Sequence, residues 1–346
     1  MSFTFRGKLG LIPAAVLCAA GLGASAANAQ SSVQIYGVLD VNVGSYADSA
    51  ATVARSSQVA SGKLTTSFIG FKGTEDLGGG LSAFFVLETH VRVDSGDSGR
   101  SAADPFFSRN SYMGLKDNKL GTLSLGRINT PLWLSSLSTN PLGASMGFAP
   151  GMRLLFGPAG VGKTAADGVW NNSIAYTSPV WGGFSGMVQH QLKENAAGGN
   201  TGFNLNYNAG GKFVLSIAGQ ETKAVFTSGK ETTGFVGASY NFGVARVFGQ
   251  YSQVKETATG TATADTKDKI YQVGVSIPLP DKASTIMASY ADAKTSGRIE
   301  GHRKMFTALY DYRISKRTDV YAAVMTDKFL NYQRGNTYAV GVRHAF

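Results

Sequence analysis

Apolar and polar residues alternate with a period of two along most of the chain after residue 30. In the first such segment one face is apolar and the other polar: Val33, Ile35, Gly37, Leu39, Val41 and Val43 against Gln34, Tyr36, Asp40 and Asn42. The pattern recurs in segments 81–92, 203–208 and 271–277. Strict alternation predicts β-strands. The apolar face points inward in a soluble sandwich and toward lipid in a membrane barrel, so alternation alone leaves both open.

The lengths of the connections between strands favour the barrel. Short turns at 76–80, 117–120, 208–211 and 241–243 alternate with longer polar stretches near 46–62, 95–106, 129–168, 256–268 and 295–303. Short turns at one rim and long loops at the other are typical of outer-membrane barrels. We predict one all-β domain, a 16-stranded antiparallel transmembrane β-barrel, with strands at 33–45, 63–74, 80–94, 107–116, 121–128, 169–178, 183–194, 201–208, 212–223, 231–240, 243–255, 268–278, 283–294, 304–313, 318–328 and 336–346.

The first 29 residues have the pattern of a cleaved signal peptide. Arg6 and Lys8 precede an apolar stretch from Leu9 to about Leu22, and 27–29 reads Ala-Asn-Ala. This order of charge, apolar run and small residues predicts export, which leaves 30–346 as the mature barrel. The apolar run is short for a membrane-spanning helix.

Composition narrows the class of protein further. The chain contains 44 Gly, 20 Phe and 14 Tyr, and its only cysteine, Cys18, lies in the predicted signal. The mature chain therefore has no disulfide and no cysteine metal site, and we expect no cofactor. With a mean hydropathy of −0.03, the sequence does not have the long apolar runs of a helical membrane protein.

The formal charge of +10 raises the question of an anionic partner. Export to the cell surface disfavours nucleic acid. Two interpretations stay open: basic residues facing the phosphates of outer-leaflet lipopolysaccharide, and a charged pore that passes small anions.

Several segments resemble the Gram-negative porins of the neisserial and β-proteobacterial type. They occur in the family's order along the mature chain, and the last one ends on a phenylalanine: 32–40 (SVQIYGVLD), 70–81 (GFKGTEDLGGGL), 171–179 (NNSIAYTSP), 239–245 (SYNFGVA), 310–321 (YDYRISKRTDVY) and 341–346 (GVRHAF). The resemblance implies a water-filled channel in the cell outer membrane for ions and small hydrophilic solutes, and a homotrimer. It also implies a third loop, here 129–168, that folds into the lumen and constricts the pore.

In this family basic wall residues face acidic residues of the third loop. Gly126-Arg127 matches the family's segment before the loop, so Arg127 carries over as a wall arginine. Phe68 and Val169 stand where relatives often have arginine. The loop itself contains Arg153, Lys163 and Asp167, and the nearby wall adds Arg92 and Glu88. These six residues are our predicted constriction, and their balance predicts a preference for anions.

Two enzymatic interpretations compete with the channel. Residues 157–164 (GPAGVGKT) match a phosphate-binding loop, but Gly168 leaves little room for the helix that must follow. A non-enzymatic anion nest in that segment stays open. A barrel enzyme needs a histidine beside an acid, and His90 with Glu88 is the pair that fits, although both are consistent with lumen-wall residues. A solute-specific outer-membrane channel is the third alternative.

Overall fold

The computed structural model describes residues 32–50, 52–157, 166–194, 199–223, 230–257, 265–297 and 300–346. The predicted signal peptide lies outside these ranges. The strands are β1 (Ser32–Tyr46), β2 (Ser56–Ser61), β3 (Phe68–Gly78), β4 (Leu81–Arg92), β5 (Asp97–Ser98), β6 (Ser111–Asp117), β7 (Gly121–Asn129), β8 (Val169–Thr177), β9 (Phe184–Gln191), β10 (Thr201–Ala209), β11 (Phe213–Lys223), β12 (Lys230–Asn241), β13 (Arg246–Thr257), β14 (Thr266–Pro278), β15 (Ser284–Gly297), β16 (Gly301–Arg313), β17 (Thr318–Phe329) and β18 (Gly335–Ala345).

Sixteen of these strands close into one antiparallel barrel. Each long strand pairs with its neighbour in the chain, and β18 returns to pair with β1, so the ring has no free edge. The two additional strands extend the wall locally: β2 continues the β1 side above β3, and β5 forms a two-residue pairing with the end of β4. The predicted barrel of 16 antiparallel strands is confirmed.

The start of the second barrel strand differs from the prediction, because it begins at Phe68 rather than at 63. The reason is the buried carboxylate of Asp40 on β1. Its Oδ2 accepts the backbone N–H groups of Leu64 and Thr65 at 2.7 and 2.8 Å, which draws this segment out of the sheet ladder. Gly62 precedes the segment with a φ of +67°, a conformation that suits glycine.

The two faces of the wall differ in polarity in the opposite sense to a soluble protein. Outward side chains are large and apolar, and Val33, Ile35 and Val273 are all more than half exposed. The side chains that alternate with them are polar and buried inside, such as Asp40, Asn204 and Gln272. An apolar outer band around a polar interior is the arrangement of a transmembrane barrel. In the described part of the chain no helix is long and apolar enough to cross a membrane.

The two rims differ in the length of the connections between strands, as the sequence predicted. Turns of a few residues join the strands at one rim, for example 118–120 and 210–212, whereas the opposite rim carries the long connections 47–67, 93–110 and 130–168. The chain ends at the short-turn rim, where Phe346 exchanges two backbone hydrogen bonds with Gly37 at 3.1 and 3.2 Å.

The connection between β7 and β8 contains two short helices, α1 (Pro131–Ser138) and α2 (Pro150–Phe156). Each begins with a proline, which suits the first helical position, and Thr130 caps α1 by accepting the Trp133 N–H at 3.2 Å. The connection is hydrogen-bonded to inward-facing amides of the wall. Gln250 donates to the Ser136 carbonyl at 2.8 Å. Its described residues therefore lie inside the barrel.

An apolar contact fixes the helices on one side of the interior. Leu132, Leu154 and Leu155 pack against an inner-wall patch that includes Phe235 and Ile270. Because this patch lies on β11 to β17, the helices lean on that half of the wall. The opposite half of the wall, near β3, β4 and β6, faces the part of the interior that the helices do not fill.

Candidate functional site

A cavity of about 770 Å³ lies beside the two helices, toward the long-loop rim. Its described lining contains more bases than acids, namely Lys63, Arg100, Arg109 and Arg153 against Asp167; Lys223 borders the cavity from the outward-facing side of β11. We call this cavity the neck.

Lys63 and Arg153 form one cationic side of the neck. The Lys63 carbonyl accepts the Ser145 hydroxyl at 2.8 Å and the Gly147 N–H at 3.0 Å, which ties its segment to the inner loop. Arg153, on α2, donates to the Gly147 carbonyl at 3.2 Å and pairs with Asp48 at 2.9 Å. Burial lowers the pKa of Lys63, and the neighbouring Arg153 lowers it further. Burial also lowers the pKa of Arg153.

Arg109 forms a second cationic side through a buried network. Glu88 accepts hydrogen bonds from the Tyr36 hydroxyl at 2.6 Å, from Asn110 at 2.6 Å and from Arg109. The Arg109 guanidinium also lies over the Phe68 ring, 4.1 Å from its centroid. Phe68 stands at a position where relatives often carry an arginine, so Arg109 places a positive charge beside that position.

Arg100 and Asp167 lie on the loop side of the neck. Arg100 binds Asp104 through two nitrogens, at 2.9 and 3.0 Å, and this pairing lowers the pKa of Asp104 to about 2. Asp167 accepts the Thr130 hydroxyl on its carbonyl at 3.0 Å and the Val169 N–H on its carboxylate at 3.3 Å. Although Asp167 keeps an exposed surface, the protein around it raises its pKa, and Arg127 and Arg100 oppose that rise.

The six residues predicted to form the constriction lie in different places in the structure. Arg153 and Asp167 line the neck, and Glu88 lies behind it as the partner of Arg109. Arg92 pairs with Asp97 at 3.0 Å at the end of β4. Arg127 lies in a bulge of β7, between Gly126 and Ile128, and donates to the Ser108 carbonyl at 2.8 Å and to Asn171 at 2.5 Å. Lys163 falls outside the described residues.

Three basic residues of the neck were missed by sequence reasoning. Lys63, Arg100 and Arg109 belong to connections that were interpreted as strand or as polar loop. A partial signal existed for Arg109: it follows Phe106-Phe107-Ser108 directly before an alternating strand, where a side chain must face one side of the wall. Nothing in the sequence indicated that these three approach Arg153.

The two enzymatic interpretations lose their structural context in the described residues. The apolar residues Leu154, Leu155 and Phe156, which precede the phosphate-loop pattern, end a helix rather than a strand. The rest of that pattern, 158–164, lies outside the described residues. Glu88 is bound by Tyr36, Arg109 and Asn110, so its hydrogen bonds go to neighbours other than His90.

Comparison with known proteins decides the family. A model described as Gram-negative porin matches residues 14–332. This chain belongs to that family. It is 33% identical to outer membrane porin protein 32 of Delftia acidovorans over 98% of this chain and 100% of the relative. It is also 33% identical to the major outer membrane protein P.IB of Neisseria meningitidis serogroup B, over 57% of this chain and 56% of the relative.

Solved structures agree with the barrel. The anion-selective porin from Comamonas acidovorans superposes with a TM-score of 0.80 at 29% identity, covering 92% of this chain and 100% of that one. The trimer form of OmpT from Vibrio cholerae has a TM-score of 0.68 at 16% identity, covering 91% and 99%, and shows the shared fold alone. The protein is therefore an outer-membrane porin.

Proposed function

We propose that this porin passes small hydrophilic solutes through a neck that prefers anions. The observation that carries the proposal is the composition of the neck, where four cationic side chains and one carboxylate line the same cavity. Ions in a narrow, partly dehydrated passage respond to charged side chains more strongly than ions in bulk water do. The anion selectivity of the Comamonas acidovorans relative supports the same direction.

Two of the carboxylates that neutralise these cations lie behind them. Glu88 is buried beneath Arg109, and the Asp104 side chain is mostly covered beside Arg100. Asp48 neutralises part of the charge of Arg153 and is the more exposed partner, with 61% of its side chain exposed against 17%. At Arg109 and Arg100 a passing solute therefore meets the guanidinium groups first, and the field it feels is weaker than that of four unpaired charges. We infer a moderate preference for anions, with Arg127 and Lys163 as further contributors.

The proposal assigns no catalytic step to this chain. The relatives from Delftia and Comamonas acidovorans are porins, and Glu88 has a structural partner in Arg109. We further propose a homotrimer and cleavage of residues 1–29 on export. Mass determination of the exported chain tests the cleavage, and a monomer in mild detergent would contradict the trimer.

The zero-current potential of single channels in a potassium chloride gradient tests the selectivity. The expected sign is that of an anion-preferring pore at low salt. The magnitude should fall at high salt, since the Debye length shrinks from ~10 Å at 0.1 M to ~3 Å at 1 M. A potential of the cation sign at low salt would overturn the proposal.

A further inference from the structure

The outer surface of the barrel carries a belt of lysines at the long-loop rim. On β11 to β17 these side chains alternate with buried, inward-facing neighbours such as Thr222, Asp268 and Arg303, so they point away from the lumen. We call the set the lysine belt: Lys223, Lys230, Lys255, Lys267, Lys269, Lys294, Lys304 and Lys328.

The register of the sheet places these lysines directly against one another. The opposed pairs are Lys223 with Lys230, Lys255 with Lys267, Lys269 with Lys294, and Lys304 with Lys328. Like charges directly opposite on one face of a sheet destabilise it. An anionic partner outside the wall would relieve the repulsion within these four pairs.

Acidic residues within the belt offset only part of its charge. Glu221 pairs with Lys230 at 2.5 Å, and Asp265 pairs with Lys255 at 2.8 Å. Asp292 stands opposite Lys304 in the register and contacts His302 at 2.7 Å. Eight lysines against these three acids leave a basic surface that runs across seven strands.

The depth of the belt identifies the kind of partner. One step of the outward alternation below Lys269 lies Tyr271, which packs against Tyr251 with ring centroids 5.0 Å apart. One further step down the register, Val273 lies opposite Tyr290, and Tyr290 lies opposite Phe306, so aromatic and apolar side chains form the band beneath. Aromatic rows mark the membrane interface, and two residues of strand span about 7 Å. The lysines are therefore at headgroup height in the outer leaflet.

We propose that the lysine belt binds the phosphate groups of outer-leaflet lipid headgroups. Each opposed lysine pair presents two ammonium groups to one phosphate, and the aromatic row beneath contacts the start of the acyl chains. This inference rests on the outer-membrane location rather than on the anion preference of the neck. It assigns to residues of the strands the contact with outer-leaflet phosphates that the sequence left open.

The test uses the mature protein in nanodiscs of neutral lipid, titrated with bisphosphorylated lipid A or with its dephosphorylated form. The binding variant is Lys255→Gln, Lys267→Gln, Lys269→Gln and Lys294→Gln together. The matched control removes four lysines from the short-turn rim: Lys119→Gln, Lys212→Gln, Lys282→Gln and Lys316→Gln. Bound lipid is counted by native mass spectrometry, and heat-modifiable migration with normal channel conductance confirms folding of each variant.

Wild type and control should bind the phosphorylated lipid at least tenfold more tightly than the dephosphorylated lipid. The binding variant should lose this preference, because each lysine removed should lower the affinity for the phosphorylated lipid by roughly fivefold. The corresponding Lys→Arg variant should keep the preference. The proposal is wrong if the glutamine variant binds like wild type, if the control loses equally, or if dephosphorylated lipid binds as well. If inorganic phosphate protects the wild-type protein against heating as well as the phosphorylated lipid does, the belt binds a free anion instead.

Discussion

The neck and the lysine belt both concentrate positive charge, but they hold it in opposite ways. In the neck, arginines are fixed by carboxylates, as Arg109 is by Glu88 and Arg100 by Asp104. In the belt, exposed lysines oppose one another across the sheet. A planar guanidinium held by a carboxylate keeps one geometry, whereas a lysine on a flexible stem follows a mobile partner. The difference indicates a fixed filter inside and an adaptable lipid contact outside.

The largest effect is expected from breaking a neck pair. Glu88→Ala leaves the Arg109 guanidinium half-buried without its carboxylate, and the Tyr36 hydroxyl without its acceptor. We expect a loss of about 3–5 kcal/mol in the free energy of unfolding, measured by urea titration in detergent micelles. Glu75→Ala, at an exposed position of β3, is the control. Equal stability of the two variants would show that the network does not stabilise the barrel.

A change of charge at Lys63 should alter selectivity without a comparable loss of stability. Its ammonium lines the neck and lies 5.2 Å from the centroid of the Tyr46 ring, and its hydrogen bonds to the inner loop are made by the backbone carbonyl. Lys63→Glu should therefore shift the zero-current potential toward cations, and Lys63→Gln should shift it by about half as much. Lys316→Glu at the opposite rim should leave the potential unchanged. An unchanged potential in Lys63→Glu would remove this residue from the ion path.

Removing charge from the belt should hardly change stability in detergent free of anionic lipid. Because Lys269 and Lys294 oppose each other, Lys269→Gln with Lys294→Gln relieves a repulsion. The free energy of unfolding should rise slightly, by less than about 1 kcal/mol. A clear destabilisation in urea titration would mean that these lysines support the wall itself.

The smallest effect concerns acid. Burial raises the pKa of Asp167, whereas pairing with Arg100 holds that of Asp104 at about 2. As the pH falls, Asp167 therefore gains its proton at a higher pH than an ordinary aspartate does, and before Asp104. The neck then loses a negative charge, and the anion preference should rise modestly as the solution is acidified. Asp167→Asn should show the low-pH potential already at pH 7, and retention of the full pH dependence in this variant would contradict the assignment.

Much of the barrel could be predicted from the sequence, because successive residues of a strand face lipid and lumen in turn and differ in polarity accordingly. Val33 and Gln34 already separate lipid from lumen, and Phe346 marks the last strand. The second barrel strand was placed five residues early, since the pull of Asp40 on Leu64 and Thr65 is a contact between distant segments.

The charges of the site were harder to predict for a similar reason. Sequence reasoning found Arg153 and Asp167 but not Lys63 or Arg109, whose approach to the neck depends on how loops fold back. The belt could not be found from one strand at a time. Lys255 and Lys267 become a pair only through the register of β13 with β14.

We propose that the neck selects solutes and the belt contacts lipid, so that a change in one should not alter the function of the other. The zero-current potential of three proteins in one neutral membrane tests it most directly: wild type, Lys63→Glu, and the variant with glutamine at Lys255, Lys267, Lys269 and Lys294. We predict an anion-selective wild type, a belt variant with the same potential, and a shift toward cations for Lys63→Glu alone. A cation-selective wild type, or a shift in the belt variant but not in Lys63→Glu, would contradict the account.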